Sequence, residues 1–286
     1  MGDDTVYLNG SFLPLSEARV SVLDRGFIFG DGVYEVIPCY GRRPFRLTEH
    51  LARLQRSLDG IRLANPLDST AWEKLLLELI ERSDARDQAL YLQVTRGTAS
   101  REHGFPADTP PTVFAMSNPL HPPPPQLLEQ GVAAITLDDI RWRYCHIKAI
   151  SLLPNVLLRQ QALDAGAQEA ILLREGIATE GAASNLFLVD EESSVVTPPK
   201  DNRLLPGITR DLVVELARDA GLTCLEQEIT EARLRHAREI WLTSSTREIL
   251  PVTRLDGAAV GDGKPGAVWR QVYRHYQQYK QQLRAG

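Results

Sequence analysis

The sequence is poor in cysteine, has no long apolar run and carries no excess of positive charge. Its three cysteines, Cys39, Cys145 and Cys224, are odd in number and far apart, which argues against a disulfide framework and a zinc site. No apolar stretch approaches the roughly 20 residues that a membrane-spanning helix needs. The net charge of −5 gives no electrostatic footprint for nucleic acid. We therefore expect neither a membrane protein nor a nucleic-acid-binding protein.

The composition is that of a protein that can build a substantial core. Hydrophobic residues make up 43% and charged residues 24% of the 286 residues, enough for two modest domains. Asp3 and Asp4 come early and no apolar segment follows them, so we expect no secretory signal and a cytoplasmic location.

A proline-rich segment divides the chain. NPLHPPPPQ (118–126) contains four consecutive prolines, which favour an extended polyproline conformation. We therefore predict an N-terminal α/β domain over residues 1–120, a linker over 121–126 and a C-terminal α/β domain over 127–286 that carries Lys148. Runs typical of strands are mixed with separate helices, which predicts an α+β fold rather than regular βαβ winding.

Apolar periodicity predicts the main elements of both domains. Helices are predicted over 48–63, 70–82, 155–166 and 208–221. The second of these begins with Thr70 and Glu73 in capping-box register. Strands are predicted over 89–97, 111–117, 132–137 and 239–252, the last running into a polar turn, and a meander is predicted over 169–199.

Lys148 lies inside an apolar run, IKAISLL, at residues 147–153. A buried ammonium group is costly unless it is paired or neutralised. One interpretation is a half-buried strand with its lysine in solvent. The other is an amine that acts as a nucleophile and forms a Schiff base with a carbonyl group. The lysine alone leaves both open.

Two polar turns provide possible anion contacts. LPGITR (205–210) leads from a glycine into a predicted helix, and the free N–H groups of a helix N-terminus suit a phosphate. LTSSTRE (242–248) offers hydroxyl groups just after a predicted strand. Neither turn matches a P-loop, and GFIFGDG (26–32) is not a dinucleotide-binding motif. Taken alone, each is also explained as a capped turn.

Glu180, in TEGAASNLF (179–187), is the third signal. Its carboxylate is either exposed in a turn or placed to keep a proton on a heterocycle. A Schiff-base lysine, a phosphate site and a carboxylate for a ring nitrogen together are what pyridoxal 5'-phosphate needs.

With these motifs, the chain resembles the class IV aminotransferases, the fold-type IV pyridoxal phosphate enzymes, along nearly its whole length. Within that family it looks most like the D-amino-acid (D-alanine) aminotransferases. The resemblance implies a homodimer with the cofactor at the domain interface. It rests on YLNGSFLPLSEARVSVLDRGFIFGDGVYEVI, HLARL, YLQVTRGTASREHGFP, IKAISLLPN, EAILLREGIATEGAASNLFLV, LLPGITR and LTSSTREILPV.

The resemblance implies a cofactor-binding role for eight residues. Lys148 matches the Schiff-base lysine that also moves a proton between the substrate Cα and the cofactor, and Glu180 matches the carboxylate at the pyridine nitrogen. Arg53 matches a phosphate-binding arginine, and it lies off the leucine stripe of its helix, so we expect it to be dispensable for packing. The others contact the phosphate or the ring: Leu205, Ile208, Thr209, Ser244 and Ser245.

The resemblance also implies a site for the substrate α-carboxylate. Tyr34 and the Arg-x-His pair Arg101 and His103 match the residues that bind this group in D-amino-acid aminotransferases. Fixing the carboxylate decides which way the Cα hydrogen points, and so favours one enantiomer. The implied reaction is a ping-pong transamination between a D-amino acid and a 2-oxo acid, such as 2-oxoglutarate or pyruvate. In the homodimer, the Arg101–His103 region of one subunit is a candidate to approach the other active site.

Some features depart from that subfamily and leave alternatives open. Ala182 and Ala183 replace two serines of a usual serine run, which affects the preferred acceptor, and His146 stands where an aspartate is usual. We expect His146 to pack rather than to contact substrate. Rival activities on the same fold are a branched-chain L-aminotransferase, an aminodeoxychorismate lyase and an (R)-amine transaminase. The Arg-x-His pair argues against the first two more than the third. A non-catalytic protein that retains the fold is the alternative of a different class.

Overall fold

The computed structural model describes residues 4–285, so Asp3 of the acidic N-terminus lies outside the described part. The chain forms two compact units. Unit one contains the described residues up to His121, together with Ile147–Leu152 and the residues from Leu283 onward. Unit two contains Pro122–His146 and Leu153–Gln282. Both units mix helices with a sheet, which confirms the predicted α+β class.

Unit one is a six-stranded antiparallel sheet with two long helices. The strands follow the order β2-β1-β6-β5-β3-β4. Helices α2 and α3 pack against the sheet through a leucine-rich core. Residues 15–17 form a short 3-10 helix. The elements are β1 (Thr5–Leu8), β2 (Ser11–Pro14), α1 (Arg25–Phe29), β3 (Gly32–Tyr40), β4 (Arg43–Pro44), α2 (Leu47–Gly60), α3 (Ser69–Glu81), β5 (Gln88–Thr95) and β6 (Thr112–Pro119).

Unit two is a larger mixed sheet with five helices. The strand order is β12-β11-β10-β14-β15-β7-β8-β9-β13, and β16 pairs with β15. Parallel pairs join β7 to both β8 and β15, and β11 to β12. The elements are α4 (Pro125–Gln130), β7 (Val132–Asp138), α5 (Leu153–Asp164), β8 (Glu169–Arg174), β9 (Ile177–Gly181), β10 (Asn185–Val189), β11 (Val195–Thr197), α6 (Ile208–Asp219), β12 (Cys224–Glu226), β13 (Ile229–Thr230), α7 (Glu231–Arg235), β14 (Glu239–Ser244), β15 (Glu248–Leu255), β16 (Ala258–Ala259) and α8 (Ala267–Ala285).

The units differ from the predicted domains at the lysine segment. Residues 147–152 belong to unit one, although the sequence places them after the prolines, because their backbone pairs with the start of β3. The four prolines are also not all extended, since Pro125 is the first residue of α4. Proline suits this position because its missing N–H has no partner within a helix there.

Two local predictions need correction. The N-cap of α3 is Asp68, whose side chain accepts the N–H of Ala71 at 2.8 Å, so the predicted capping box at Thr70 is wrong. The predicted meander is also interrupted, because β10 pairs with β14 and β11 rather than with β9. Within residues 4–285, no helix is both long enough and apolar enough to cross a membrane.

Candidate active site

Lys148 lies on the segment that pairs with β3. Its carbonyl accepts the N–H of Tyr34 at 3.0 Å. The extended alternation buries Ile147 and Ala149 and leaves Lys148 half-buried. The Lys148 Nζ lies 4.1 Å from the centroid of the Tyr34 ring. The amine therefore lies against an aromatic face, rather than fully in solvent or in a purely apolar core.

Helix α2 presents a buried polar stripe in unit one. His50, Arg53 and Ser57 follow a spacing of three and four residues, which places them on one face of the helix, and all three are buried. Ser57 Oγ accepts the backbone N–H of Lys148 at 3.1 Å. One helix face thus fixes the lysine backbone and also carries the predicted phosphate arginine.

Arg53 and His50 both bind Glu35, a fully buried residue of β3. The Arg53 Nε and Nη2 atoms each lie 2.7 Å from a different Glu35 oxygen, and His50 Nδ1 lies 2.8 Å away. Burial opposes ionisation of Glu35, but the charge and hydrogen bonds of Arg53, with those of His50, outweigh it and hold the pKa of Glu35 well below its usual range. Arg53 is itself only 3% exposed, so the expectation that it is dispensable for packing is wrong.

The ionised Glu35 fixes the tautomer of His50. Burial lowers the pKa of His50, so its ring is neutral near pH 7. Because a carboxylate only accepts, His50 Nδ1 must carry the proton and Nε2 is left as an acceptor. Among the described residues, this buried Nε2 has no hydrogen-bond partner. It is a polar atom placed to accept a bond from a bound molecule or water.

The residues that are predicted to bind the substrate α-carboxylate lie in two places in unit one. Tyr34 lies with Lys148, as described above. Arg101 and His103 are exposed on residues 97–105, here named the carboxylate loop. Both contact one aromatic ring: the Arg101 Cζ lies 5.6 Å and the His103 ring centroid 5.4 Å from the centroid of Phe29.

Glu180 is buried near the end of β9 in unit two, where three donors reach it. Arg141 Nη1 donates to one oxygen. The other oxygen accepts from Asn185 Nδ2 at 3.1 Å and from the backbone N–H of Leu205 at 3.1 Å. A hydrogen bond therefore joins Glu180, predicted to bind the ring nitrogen, to Leu205, predicted to pack on the ring.

Arg141 connects Glu180 to a second carboxylate. Its Nε and Nη2 bind the two oxygens of Asp139 at 2.8 and 3.0 Å. Burial raises the pKa of Glu180 to about 6, against the opposing charge and hydrogen bond of Arg141. Glu180 is thus mainly ionised at pH 7 and above, and its charge is sensitive to small changes in its surroundings.

Glu180→Gln is expected to change stability in a pH-dependent way. A raised pKa in the folded state means that burying Glu180 costs stability progressively as the pH rises from the ordinary carboxyl pKa, and that the full cost is reached above about pH 6. The variant lacks that cost, and Arg141 keeps Asp139 as its counter-ion. Thermal unfolding of both proteins at pH 5 and pH 7.5 should show the midpoint of the variant rising relative to wild type with pH. A difference that shrinks with rising pH would contradict this, and exposed Glu191→Gln is the control.

The start of α6 has the features of an anion site. The N-cap is Gly207, which has no side chain to bind the free N–H groups of the first turn, where Ile208 and Thr209 lie. A Cβ at Gly207 would lie 1.9 Å from Asn185 Oδ1, so only glycine allows this approach. Within residues 4–285, the buried Thr209 Oγ1 has no hydrogen-bond partner. Free donors and an unsatisfied hydroxyl at a helix N-terminus fit a phosphate group.

The serine turn at the end of β14 carries the predicted Ser244 and Ser245. Ser244 Oγ accepts the N–H of Arg247 at 3.3 Å, so this hydroxyl already stabilises the turn, and Ser245 is half-buried beside it. Thr243, one residue earlier, has a buried Oγ1 without a partner in the described part of the chain. Thr243 pairs with Asn185 across β14 and β10, and Asn185 approaches Gly207, so this hydroxyl lies in the same region of unit two as the α6 N-terminus.

The residues that depart from the subfamily differ in exposure. Ala182 is buried and its carbonyl accepts Asn155 Nδ2 at 2.8 Å, whereas Ala183 is exposed. His146 is exposed, with its ring 6.2 Å from that of Tyr144. These positions show why a serine at 183 would reach solvent and one at 182 would not.

Sequence reasoning missed the partners that set the charge of the site. Glu35 binds the predicted Arg53, and Arg141 binds the predicted Glu180, in each case across a long stretch of sequence. His50 joins the first pair through Glu35. The pairing of Glu35 with Arg53 spans 18 residues, and that of Arg141 with Glu180 spans 39. The only usable signal was a charged residue inside an otherwise apolar strand, VYEVI.

Comparisons with known proteins identify the family of the chain. The family model for amino-transferase class IV matches residues 32–255. The D-alanine aminotransferase of Bacillus licheniformis is 42% identical over 267 residues, covering 93% of this chain and 94% of that protein. The D-alanine aminotransferase of Staphylococcus epidermidis is 38% identical over 278 residues, covering 96% and 98%.

Solved structures of branched-chain amino acid aminotransferases share the fold. The Escherichia coli enzyme superposes with a TM-score of 0.92 at 28% identity, covering 96% of this chain and 94% of that one. The Thermoproteus uzoniensis enzyme, solved with norvaline, gives a TM-score of 0.88 at 27% identity and covers 98% and 95%. The family match spans most of the chain and includes Lys148, Glu180 and the α6 N-terminus, and the chain therefore belongs to the class IV aminotransferase family.

Proposed function

We propose that this protein is a pyridoxal phosphate-dependent D-amino-acid aminotransferase that transfers the amino group of D-alanine or a similar D-amino acid to a 2-oxo acid. The observation that carries the proposal is the 42% identity, over 93% of the chain, to a D-alanine aminotransferase. The two branched-chain enzymes of the same fold are only 27–28% identical. The Arg-x-His pair at Arg101 and His103 supports the same choice.

Each unit carries groups whose chemistry suits pyridoxal phosphate. The phosphate would be bound by Ile208 and Thr209 at the start of α6, where the Thr209 hydroxyl has no partner among the described residues, with further contacts from Ser244 and Ser245. Arg53 would add a guanidinium, and Leu205 would pack on the ring. When bound, the cofactor supplies an electron sink that stabilises negative charge at the substrate Cα.

Among the residues of the protein, Lys148 and Glu180 would act directly in the reaction. Lys148 Nζ would bind the cofactor covalently and, once displaced by substrate, take the proton from the donor Cα as a neutral amine. Its position against Tyr34, with its backbone fixed by Ser57, keeps this amine at one place. Glu180, ionised at neutral pH and buried, would accept a hydrogen bond from the ring nitrogen and keep that nitrogen protonated.

Tyr34 of one subunit, together with Arg101 and His103 from the loop of the other subunit in the proposed homodimer, would bind the substrate α-carboxylate. Arg101 supplies the positive charge, and the tyrosine and histidine supply additional donors. The same three groups would bind the carboxylate of the 2-oxo acid acceptor, 2-oxoglutarate or pyruvate, in the second half of the reaction.

Arg101→Ala is expected to weaken substrate binding and to leave cofactor loading intact. Losing a charge-assisted contact to a carboxylate should raise KM for D-alanine by about 10- to 100-fold. Steady-state kinetics and the visible absorption of the loaded enzyme give the two readouts. A variant that loses its cofactor but keeps wild-type substrate affinity would show that Arg101 has a different role.

The proposal is tested by following amino transfer from D-alanine to 2-oxoglutarate with chiral analysis of both products. We expect pyruvate and D-glutamate in equal amounts, and no product from L-leucine. Formation of L-glutamate from L-leucine would instead place the protein with the branched-chain enzymes.

We also propose that the protein acts as a homodimer in the cytoplasm. The homodimer is supported by the resemblance to D-amino-acid aminotransferases. Sedimentation equilibrium of the purified protein tests the oligomeric state, and a mass equal to one 31.9 kDa chain would contradict it.

A further inference from the structure

We propose that Arg25 is a positioning residue for substrate binding, because it fixes the backbone of the carboxylate loop (residues 97–105) between Arg101 and His103. This inference rests on the proposed function and deepens it. It concerns how the two side chains that bind the carboxylate keep their place on a loop that is itself exposed.

The Arg25 side chain reaches from α1 to the carbonyl groups on either side of His103. Its Nη1 donates to the Glu102 carbonyl at 2.5 Å, and its Nη2 donates to the His103 carbonyl at 3.4 Å. Arg25 is only 3% exposed, whereas Arg101, Glu102 and His103 are exposed. A buried guanidinium group therefore uses two of its nitrogens on the backbone of an exposed loop.

Asp31 fixes the direction in which Arg25 points. Arg25 Nε donates to Asp31 Oδ2 at 2.8 Å. Asp31 also binds Arg96, which reaches both of its oxygens at 2.8 and 3.0 Å. With its Nε anchored in this way, the planar guanidinium group presents its remaining N–H groups in one fixed orientation.

Other contacts fix the two ends of the carboxylate loop. At its start, the backbone N–H of Arg25 donates to the Gly97 carbonyl at 2.8 Å, and Thr98 pairs with Asp24. At its end, the Arg96 Cζ lies 3.8 Å from the centroid of the Phe105 ring. The Arg25 side chain supplies the anchor between these ends, at the residues that would bind substrate.

The Phe29 ring lies between the Arg25 side chain and the side chains of Arg101 and His103. Its ring centroid lies 4.9 Å from the Arg25 Cζ and 5.6 Å from the Arg101 Cζ. The His103 ring lies at 5.4 Å from it. The ring therefore separates two guanidinium groups and sets the distance between the anchor and the substrate-binding arginine.

Removing the Arg25 side chain should affect substrate binding more than the fold or the chemical step. Asp31 would keep Arg96 as a counter-ion on both oxygens, so no buried charge is left unpaired. The loop backbone would lose two donors and become more mobile. Substrate would then have to order the loop on binding, which raises KM while leaving kcat nearly unchanged.

The test compares the loaded wild-type enzyme with Arg25→Ala and Arg25→Lys. For Arg25→Ala we expect KM for D-alanine, and the dissociation constant for propionate, to rise by about 10-fold or more, with kcat within about 3-fold. Arg25→Lys should recover part of the loss, since an ammonium group makes fewer fixed contacts. Arg19→Ala is the matched control, because Arg19 is exposed and donates to the nearby Ser16 and Ala18 carbonyls. A lowered kcat with unchanged KM and propionate affinity would overturn the proposal.

A double variant shows whether Arg25 acts through Arg101. If it does, Arg25→Ala should change KM by less than about 3-fold in an Arg101→Ala background, far less than in wild type. Equal effects in both backgrounds would show that Arg25 acts independently, and would overturn the positioning role.

Limited trypsin cleavage separates failure of this inference from failure of the proposed function. We expect cleavage after Arg101 to be faster in Arg25→Ala than in wild type and in Arg19→Ala. If wild-type protein does not convert D-alanine, the proposed function fails, yet the cleavage rate still tests loop positioning. Equal cleavage rates in all three proteins would contradict it.

Discussion

Lys148→Ala is expected to abolish turnover, with a fall in kcat of about 10⁴-fold or more, because it removes both the covalent attachment point and the group that moves the Cα proton. The backbone should remain in place. Alanine keeps the N–H that Ser57 Oγ accepts and the carbonyl that binds the Tyr34 N–H. Steady-state and single-turnover rates with D-alanine measure the effect, with thermal unfolding as the check on folding.

Two further variants show whether activity needs the Lys148 amine or only a positive charge at this position. Lys148→Arg should be equally inactive, because a guanidinium group does not give up its proton at neutral pH. Lys74→Ala, which removes an exposed lysine on α3, should keep wild-type rates. Added methylamine should partly restore activity to Lys148→Ala by supplying a small primary amine. If Lys148→Ala kept a rate within about 10-fold of wild type, its role as proton-transfer group would be wrong.

Glu35→Gln is expected to cause the largest loss of stability, about 3 kcal/mol. The substitution keeps the size of the side chain but leaves the Arg53 charge buried without the carboxylate that now binds two of its nitrogens. For a chain of this size, that loss should lower the thermal midpoint by about 10 °C. Thermal unfolding at pH 7 measures the difference directly.

The matched control is Glu78→Gln on α3, since Glu78 and its partner Arg82 are both half-exposed and their Oε1 and Nη2 atoms lie 2.7 Å apart. An exposed ion pair contributes less than about 1 kcal/mol, so this variant should melt near wild type.

The pKa of Glu35 is lowered in the folded state, so its contribution to stability is present above the ordinary carboxyl pKa and is lost as the pH falls below it. Wild type and Glu35→Gln should therefore converge in acid. Equal midpoints at pH 7 would show that burying the Arg53 charge does not require the Glu35 carboxylate.

The surroundings of Lys148 show how far sequence reasoning reaches. Local alternation predicted its apolar neighbours, and Ile147 and Ala149 are indeed buried. The aromatic ring beneath its amine comes from Tyr34, more than a hundred residues earlier. Backbone pairing with β3 also moves residues 147–152 into unit one, and no pattern within the segment indicates that partner.

Arg53 shows more clearly what periodicity in the sequence cannot predict. Helical periodicity identified the leucine stripe of α2 and placed Arg53 off it, which led us to expect that Arg53 is dispensable for packing. The burial of Arg53 is possible only because β3 carries Glu35 on the face that packs against α2. Such compensation between charges on different elements is a tertiary property, and the same reason hid Arg141 as the partner of Glu180.

The half-reaction of the wild-type enzyme tests the central claim most directly. Enzyme loaded with pyridoxal phosphate is mixed separately with D-alanine, L-leucine and (R)-1-phenylethylamine, without an acceptor, and its visible absorption band is followed. We expect rapid loss of the band with D-alanine and none with the other two. Loss of the band with L-leucine, or chiefly with the amine, would contradict the D-amino-acid assignment and the roles of Arg101 and His103.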